Sequence, residues 1–469
     1  MTQKLAPYQS SYGDVNLAIG ELTDLLGDKL VTSPAVRKQH GGGELTYHAM
    51  KAPEAVAFAQ STEQVAAIVK ICASHKVPIV PFGAGSSLEG HIAALYGGIC
   101  VDLSLMTEIV KLHAEDLDVI VQAGVTRQEL NIYLRDTGLF FPVDPGAEAT
   151  LAGMAATRAS GTNAVRYGTM RDNVINLTVV MPDGEIVKTS ARAKKTSAGY
   201  DLARLMIGSE GTLGIITELT LKLYGTPEKM ISAVCSFDSI EQACEAVIMT
   251  IQAGVPMARI ELLDEVQVKA CNVYSKLELA QKPTLFLEFH GTDISCPEQV
   301  DLFKDIAAEF GSDDFKAATN AEARSQLWKA RHDVYWAACD LAPGMSHLST
   351  DVCVPISNFA KCVVETQQDI VDSGLIGPIV GHAGDGNFHV LLNFDENSAD
   401  HMAQVKKFLD RLAQRALDYE GTCTGEHGIG SGKAKYMRAE HGAGLDVMFA
   451  IKQALDPDNI MNPGKIFYG

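Results

Sequence analysis

The sequence predicts an α+β protein of more than one domain, and three observations carry that prediction. A chain of 469 residues with 46% hydrophobic content is too long for one ordinary core and suits two or three. Strand-like apolar runs are interleaved with helices opened by capping boxes. Near Thr226 the character changes, from strands joined by runs of Gly, Ala, Ser and Thr to strands and helices alternating at longer spacing. The 41 glycines describe a loop-rich globular protein. A formal net charge of -19, with no dense Lys/Arg run, argues against nucleic-acid binding through a basic face. Ten cysteines without a Cys-x-x-Cys pair read as reduced thiols rather than disulfides or an iron–sulfur site. The first thirty residues lack a basic start followed by an apolar block, and no stretch is apolar enough to span a bilayer. The expected location is therefore cytoplasmic.

Taken in order, a strand is expected over 55–59. Ser61-Thr-Glu-Gln64 then reads as a capping box that opens a helix with Val65, Ile68, Val69 and Cys72 on one face. A strand over 79–82 runs into the small-residue loop 83–90, whose backbone N–H groups could cradle a phosphate. Leu88 stands where a dinucleotide fingerprint needs glycine, and the Gly-Lys-Ser/Thr ending of a P-loop is absent, so this loop alone reads equally well as a turn. Strands over 99–103 and 119–124 precede a helix capped by Thr126 with Glu129 at the reciprocal position. A second concentration of small residues covers 145–161 and 167–173; such a stretch suits backbone that must pack against a large flat ligand. A strand pair over 176–181 and 185–188 follows, and then the glycine-punctuated run 207–217. Past Thr226 the expected elements are a strand over 234–237, a helix with a capping box at Ser239 and Gln242, strands over 259–263 and 284–289, and an amphipathic helix carrying 327–332.

Two stretches carry chemistry. Gly-His-Ala-Gly-Asp-Gly-Asn-Phe-His-Val (381–390) reads as a hairpin with Asp385-Gly386 as a two-residue turn, which sets His382 opposite His389 on one face. Either histidine alone is more often a satisfied polar residue than a ligand. The glycine-rich loop 421–432 adds Glu426 and His427. Two imidazoles and one carboxylate would leave coordination positions open, as a catalytic metal site requires, and His427 would be available as a base. On its own, the Glu426-His427 pair reads as polar residues on a loop.

Together these stretches resemble the flavin-dependent 2-hydroxy-acid dehydrogenases of the vanillyl-alcohol oxidase type, most closely the cytochrome-linked D-lactate dehydrogenases. The resemblance runs from about Pro53 to Lys465. It rests on Pro-Phe-Gly-Ala-Gly-Ser-Ser, Ala-Ser-Gly-Thr-Asn-Ala-Val-Arg-Tyr-Gly, Gly-Ser-Glu-Gly-Thr-Leu-Gly-Ile, Ser-Thr-Asp-Val-Cys-Val-Pro, the hairpin, Gly-Thr-Cys-Thr-Gly-Glu-His-Gly and the final Asn-Pro-Gly-Lys. It implies an FAD-binding domain of the PCMH type over 1–225, a mixed α/β substrate (cap) domain over 226–423, and a segment over 424–469 that returns to the flavin domain. Gly83, Ala84, Gly85, Ser86 and Ser87 would hold the FAD pyrophosphate, with Pro81 also at the cofactor. Pro145, Gly146, Thr150, Gly153, Ser160, Gly161, Asn163, Gly168 and Ile215 would line the cofactor, and Asn462 would close its site. Arg158 departs from the asparagine more usual in relatives. No histidine lies within 83–87, where covalent-flavin relatives place theirs, so dissociable FAD is expected.

The resemblance further implies a divalent metal, zinc or manganese, on His382, His389 and Glu426, with His427 as catalytic base. Arg331, Tyr335, Ser349 and Leu391 would face the substrate. The implied reaction oxidises a D-2-hydroxy acid to the 2-oxo acid and passes electrons to an external cytochrome, quinone or electron-transfer flavoprotein. Relatives acting on 2-hydroxyglutarate place Lys two residues before the Asp of Asp-x-x-x-Pro and Asn two residues after the second hairpin His. Here Ser349 and Leu391 occupy those positions, and Leu391 shares strand parity with His389. D-lactate is therefore expected over the dicarboxylate. The alternatives are an FAD subunit of a glycolate oxidase complex, a D-2-hydroxyglutarate dehydrogenase and, more distantly, a metal-dependent hydrolase without flavin. Peripheral association with the inner face of a membrane and a homodimer complete the expectations.

Overall fold

A computed structural model describes residues 11–467 except 44, 45, 49, 313 and 319. The chain divides into two compact units: the described residues of Met1–Ser160, Gly168–Gly225 and Glu426–Gly469 form one, and Gly161–Tyr167 with Thr226–Gly425 the other.

The first unit holds two principal sheets. One has four strands, with Ala55–Phe58 and Ile79–Phe82 flanking Ile99–Asp102 in parallel. Val56 and Val101 are fully buried, as expected when helices cover the faces of parallel strands. The helix Thr62–Ser74 begins where the sequence sets it, with the Ser61 side chain accepting from Gln64 N at 3.2 Å, a cap that contributes about 1 kcal/mol; the expected capping box is corrected to a simple cap, because the Gln64 side chain accepts from Gln60 N at 2.9 Å instead of from Ser61 N. The other sheet has five antiparallel strands, with Ile215–Lys222 between Asp118–Gln122 and Val174–Val180. Thr126 and Glu129 form a full capping box before Arg127–Leu134. The C-terminal segment is bound into this unit: Ile79 and Met461 form a parallel bridge, and Asn462 N donates to Ile79 O at 2.8 Å. Lys452 Nζ, buried, donates to the carbonyls of Thr212 (2.8 Å) and Met461 (2.9 Å) and pairs with Asp456.

The second unit is built on one large antiparallel sheet with the central order Lys229–Ser236, Thr284–Gly291, Met257–Leu263, Ile379–His382, Asn387–Phe394. One face carries the helices Ile240–Gln252, Ser295–Glu309 and Phe359–Ser373, with Phe289, Phe303, Phe359 and Phe388 in a shared core. On the opposite face, Leu263, Phe286, Val380 and Leu391 pack with Trp328. Ser239 and Gln242 make the expected capping box. The segment Gly161–Tyr167 belongs here for visible reasons: Arg259 Nε donates to Asn163 Oδ1 at 2.9 Å, and the Tyr167 hydroxyl meets His290 Nδ1 at 2.8 Å. No helix among the described residues is long and apolar enough to cross a membrane.

Candidate active site

The hairpin forms, with a different register. Its loop has four residues: Ala383–Asp385 make one 3-10 turn and Gly386 closes it at φ +76. A Cβ at Gly386 would run into Val354 O, so both the conformation and the space call for glycine. His382 is consequently the partner of Asn387, and His389 that of Val380; the direct facing of the two histidines expected from a two-residue turn is corrected. The shift is even, so both remain on one face as diagonal neighbours. Their rings stand edge to face with centroids 5.5 Å apart.

Both imidazoles are oriented through Nδ1. His389 Nδ1 lies 2.8 Å from Thr350 O, and His382 Nδ1 2.9 Å from Glu261 Oε1. Donation from Nδ1 leaves Nε2 as the lone-pair nitrogen, the arrangement a metal-binding histidine needs. Glu261 is the Cα partner of His382 on the neighbouring strand. Its Oε2 accepts from Arg331 Nε at 3.0 Å and also from Nη2. Burial pushes the Glu261 carboxyl up, and the charges and hydrogen bonds of His382 and Arg331 outweigh that and hold it below the usual range.

The chain approaches Glu426 along the same sheet. Thr422 bridges Cys353, Thr424 Oγ1 donates to Asp351 Oδ2 at 2.7 Å, and Gly425 lies so close to Asn387 that a Cβ would strike its amide. Glu426 follows directly, and His382, His389 and Glu426 each offer a donor atom within 4.8 Å of the others. Two imidazoles and a carboxylate at that spacing fit a divalent zinc or manganese ion with open positions. Beyond His427, the turn is held by Glu210, a buried residue whose carboxylate accepts from Ile429 N (2.7 Å) and Gly430 N (2.8 Å). Gly428, at φ +81, has no room for a Cβ against His91 and Glu210. Burial raises the Glu210 carboxyl, while His91 and the two backbone donors outweigh it and lower it. His427 itself is half-buried. Nearby, Glu89 accepts from His48 at 3.0 Å; burial pushes its carboxyl up, but Lys433, His48 and His427 hold it low.

The expected cofactor residues of the first unit lie in related places. A Cβ on Gly83 would collide with Thr150 Oγ1, which accepts from Gly153 N at 3.3 Å and caps the helix Leu151–Thr157; Gly211 is similarly tight against Pro81. Gly85 takes φ +70 within the loop completed by Ala84, Ser86 and Ser87, Gly168 takes φ +77, and Ile215 opens its strand. Pro145 and Gly146 lie in the loop before Thr150, and Ser160 ends the first unit's second small-residue run. Asn462 Nδ2 donates to the carbonyls of His91 (3.1 Å) and Glu210 (2.7 Å), and among the described residues its buried Oδ1 has no hydrogen-bond partner. An unmatched buried acceptor suits a ligand bearing N–H groups, as a flavin ring does. Gly161 and Asn163, also expected at the cofactor, belong to the second unit. Arg158 sits at φ +58 as the helix C-cap, a conformation that favours Asn, and its Nη2 donates to Ile207 O at 3.2 Å.

Of the expected substrate residues, Ser349 and Leu391 are direct cross-strand partners. Leu391 is 5% exposed, in a cluster with Val380 and Trp328 that also receives Tyr335. The Tyr335 hydroxyl is pushed up to about 12 by burial and by Cys339. Sequence reasoning missed Glu261 and left Glu210 without a role. A signal existed for each: a lone acid inside the apolar run Ile260-Glu-Leu-Leu263, and a lone acid in the small-residue run Gly208-Ser-Glu-Gly211.

Comparison with known proteins finds similarity to flavin-linked oxidases. Residues 226–466 match the FAD linked oxidase C-terminal domain family, and residues 53–190 an FAD binding domain family. The chain is 53% identical over 457 residues to a "Probable D-lactate dehydrogenase, mitochondrial" of Danio rerio, covering 96% of this chain and 92% of that protein. It is 46% identical to "D-lactate dehydrogenase [cytochrome], mitochondrial" of Arabidopsis thaliana (96% and 79% covered) and 33% identical to "Glycolate oxidase subunit GlcD" of Bacillus subtilis (88% and 89%). Among solved structures, p-cresol methylhydroxylase superposes with a TM-score of 0.79 at 17% identity, covering 96% of each chain. A 4-ethylphenol oxidase from Gulosibacter chungangensis gives 0.78 at 17% identity, covering 98% of each. At such identity these two establish the fold alone.

Proposed function

The chain belongs to the FAD-linked oxidases and is an FAD-dependent oxidoreductase, and from that premise we propose that it oxidises D-lactate to the 2-oxo acid and delivers the electrons to an external carrier of the cytochrome type. The observation that carries the metal-assisted form of this reading is the convergence of His382, His389 and Glu426. Bound FAD supplies the acceptor for the alpha hydrogen as hydride, and a divalent zinc or manganese ion supplies a Lewis acid for the hydroxyl oxygen. Arg331 grips the substrate carboxylate. Its Nε and Nη2 meet Glu261, so the Nη1 side of the fork serves the ligand. His427 takes the hydroxyl proton. Glu261 and Thr350 keep the two ligand imidazoles in the metal-binding tautomer.

Ser349 and Leu391 determine substrate size and charge. A hydroxyl beside a buried leucine offers nothing to offset the desolvation of a second carboxylate, which favours lactate or a short apolar 2-hydroxy acid over 2-hydroxyglutarate. Catalytic efficiencies on D-lactate, D-2-hydroxybutyrate and D-2-hydroxyglutarate, measured with an artificial dye, test this; preference for the dicarboxylate would overturn it. The likeness to a glycolate oxidase subunit supports a second reading, in which the chain works only within a complex. Dye-linked activity of the purified single chain excludes that reading.

A further inference from the structure

Glu261 touches both halves of the proposed chemistry in the second unit. Its carboxylate is 1% exposed and lies between two donors, with Oε1 at His382 Nδ1 (2.9 Å) and Oε2 at the Nε edge of Arg331 (3.0 Å). The strand register produces this geometry: Glu261 and His382 are Cα partners, and Arg331 comes from the helix Ala321–His332 on the same face, where Trp328 of that helix packs with Leu263, Val380 and Leu391. A buried carboxylate could have been matched by one cation alone. Here each oxygen has its own donor.

We propose that Glu261 is a positioning residue that couples metal binding to substrate binding: one carboxylate fixes the His382 tautomer for the metal and the Arg331 fork for the substrate carboxylate. The proposal rests on the metal reading above. Its physical core is an acceptor count. An ionised carboxylate accepts on both oxygens; an amide accepts on one and donates on the other. In Glu261→Gln, the amide oxygen can serve either Arg331 or His382. If it serves Arg331, its NH2 faces His382 Nδ1, which must then become an acceptor, placing the proton on Nε2 where the metal should bind. If it serves His382, the NH2 opposes the guanidinium and displaces it. Either way, an isosteric change that leaves the strand pairing intact disturbs one site through the other.

The test uses the full-length, FAD-loaded protein. Zinc affinity is measured by competition with a chromophoric chelator, and the KM for D-lactate with an artificial acceptor. Glu261→Gln should keep its flavin absorbance and either bind zinc about 10- to 100-fold more weakly, where the amide oxygen serves Arg331, or show a raised KM for D-lactate, where it serves His382. Zinc affinity within about twofold of wild type, with only the thermal midpoint lowered, would make Glu261 a plain structural ion pair and overturn the proposal. Wild-type protein that binds no zinc would instead sink the metal reading, and the coupling with it. Should the variant fail to fold, nitrogen-15 spectra of histidine-labelled, zinc-free wild type decide: His382 protonated on Nδ1 supports the proposal, and the Nε2–H tautomer overturns it.

Discussion

Glu210 holds the turn that follows Glu426 and His427, and replacing it with glutamine removes one of its two acceptor oxygens at constant volume. The carboxylate accepts from Ile429 N at 2.7 Å and Gly430 N at 2.8 Å in a buried setting. Hydrogen bonds to a charged group contribute roughly 1.5–3 kcal/mol each. Losing one should therefore lower the local opening free energy by that amount, which is about 10- to 150-fold faster amide exchange at 1.4 kcal/mol per tenfold. Hydrogen-exchange mass spectrometry on peptides spanning 426–432 reads this directly and requires no two-state unfolding of a chain with two compact units. Flavin reduction should slow in parallel while FAD remains bound, because His427 stands one residue before the Gly428 that Glu210 packs against. Exchange within about threefold of wild type would show that the turn is held by something other than this carboxylate.

Removing the divalent ion, or making His382→Ala or Glu426→Ala, should abolish hydride transfer with FAD still bound; His427→Ala should keep the metal and lose about 10²- to 10⁴-fold in rate, both read by stopped-flow flavin absorbance. The double change Ser349→Lys with Leu391→Asn should move preference toward D-2-hydroxyglutarate by about tenfold or more, as judged by the ratio of kcat/KM values. Glu288 gives a pH prediction. Burial raises its carboxyl, but His290, Arg259 and Ser232 outweigh this and hold it at about 2, below its value in an unfolded chain. Its contribution, roughly 3 kcal/mol, is therefore complete above about pH 4.5 and is lost as pH falls toward 2. The gap in urea stability between wild type and Glu288→Gln should narrow over that window. Trp328, which donates to the Ser232 hydroxyl that in turn reaches Glu288, makes fluorescence the suitable probe, and a gap independent of pH would refute the assignment.

Local signals in the sequence are reliable where a single turn of chain decides the outcome. The caps at Ser61, Thr126 and Ser239 stand where their side-chain patterns place them, because a cap is satisfied within four residues. The hairpin shows the limit. Asp385-Gly386 marks the turn correctly, but whether the loop has two residues or four depends on Gly386 packing against Val354, a contact 32 positions away in sequence. The observed register differs from a two-residue-turn pairing by an even step, so His382 and His389 still share a face. Glu261 was not legible as a partner, since its meaning comes from the cross-strand register with His382 and the approach of Arg331 from another element. Ser349 and Leu391, singled out separately by what they lack, are adjacent across two strands. The placement of Gly161–Tyr167 with the second unit likewise follows from Arg259 and His290, side chains about a hundred residues downstream.

Carrying FAD and without a partner subunit, this chain should take hydride from a D-2-hydroxy acid. Anaerobic mixing of the purified, flavin-loaded, metal-replete protein with D-lactate tests it most directly. The flavin absorbance should bleach rapidly and completely with D-lactate and stay unchanged on the same timescale with L-lactate. A flavin that remains oxidised with D-lactate in a preparation shown to hold both FAD and metal would contradict the account.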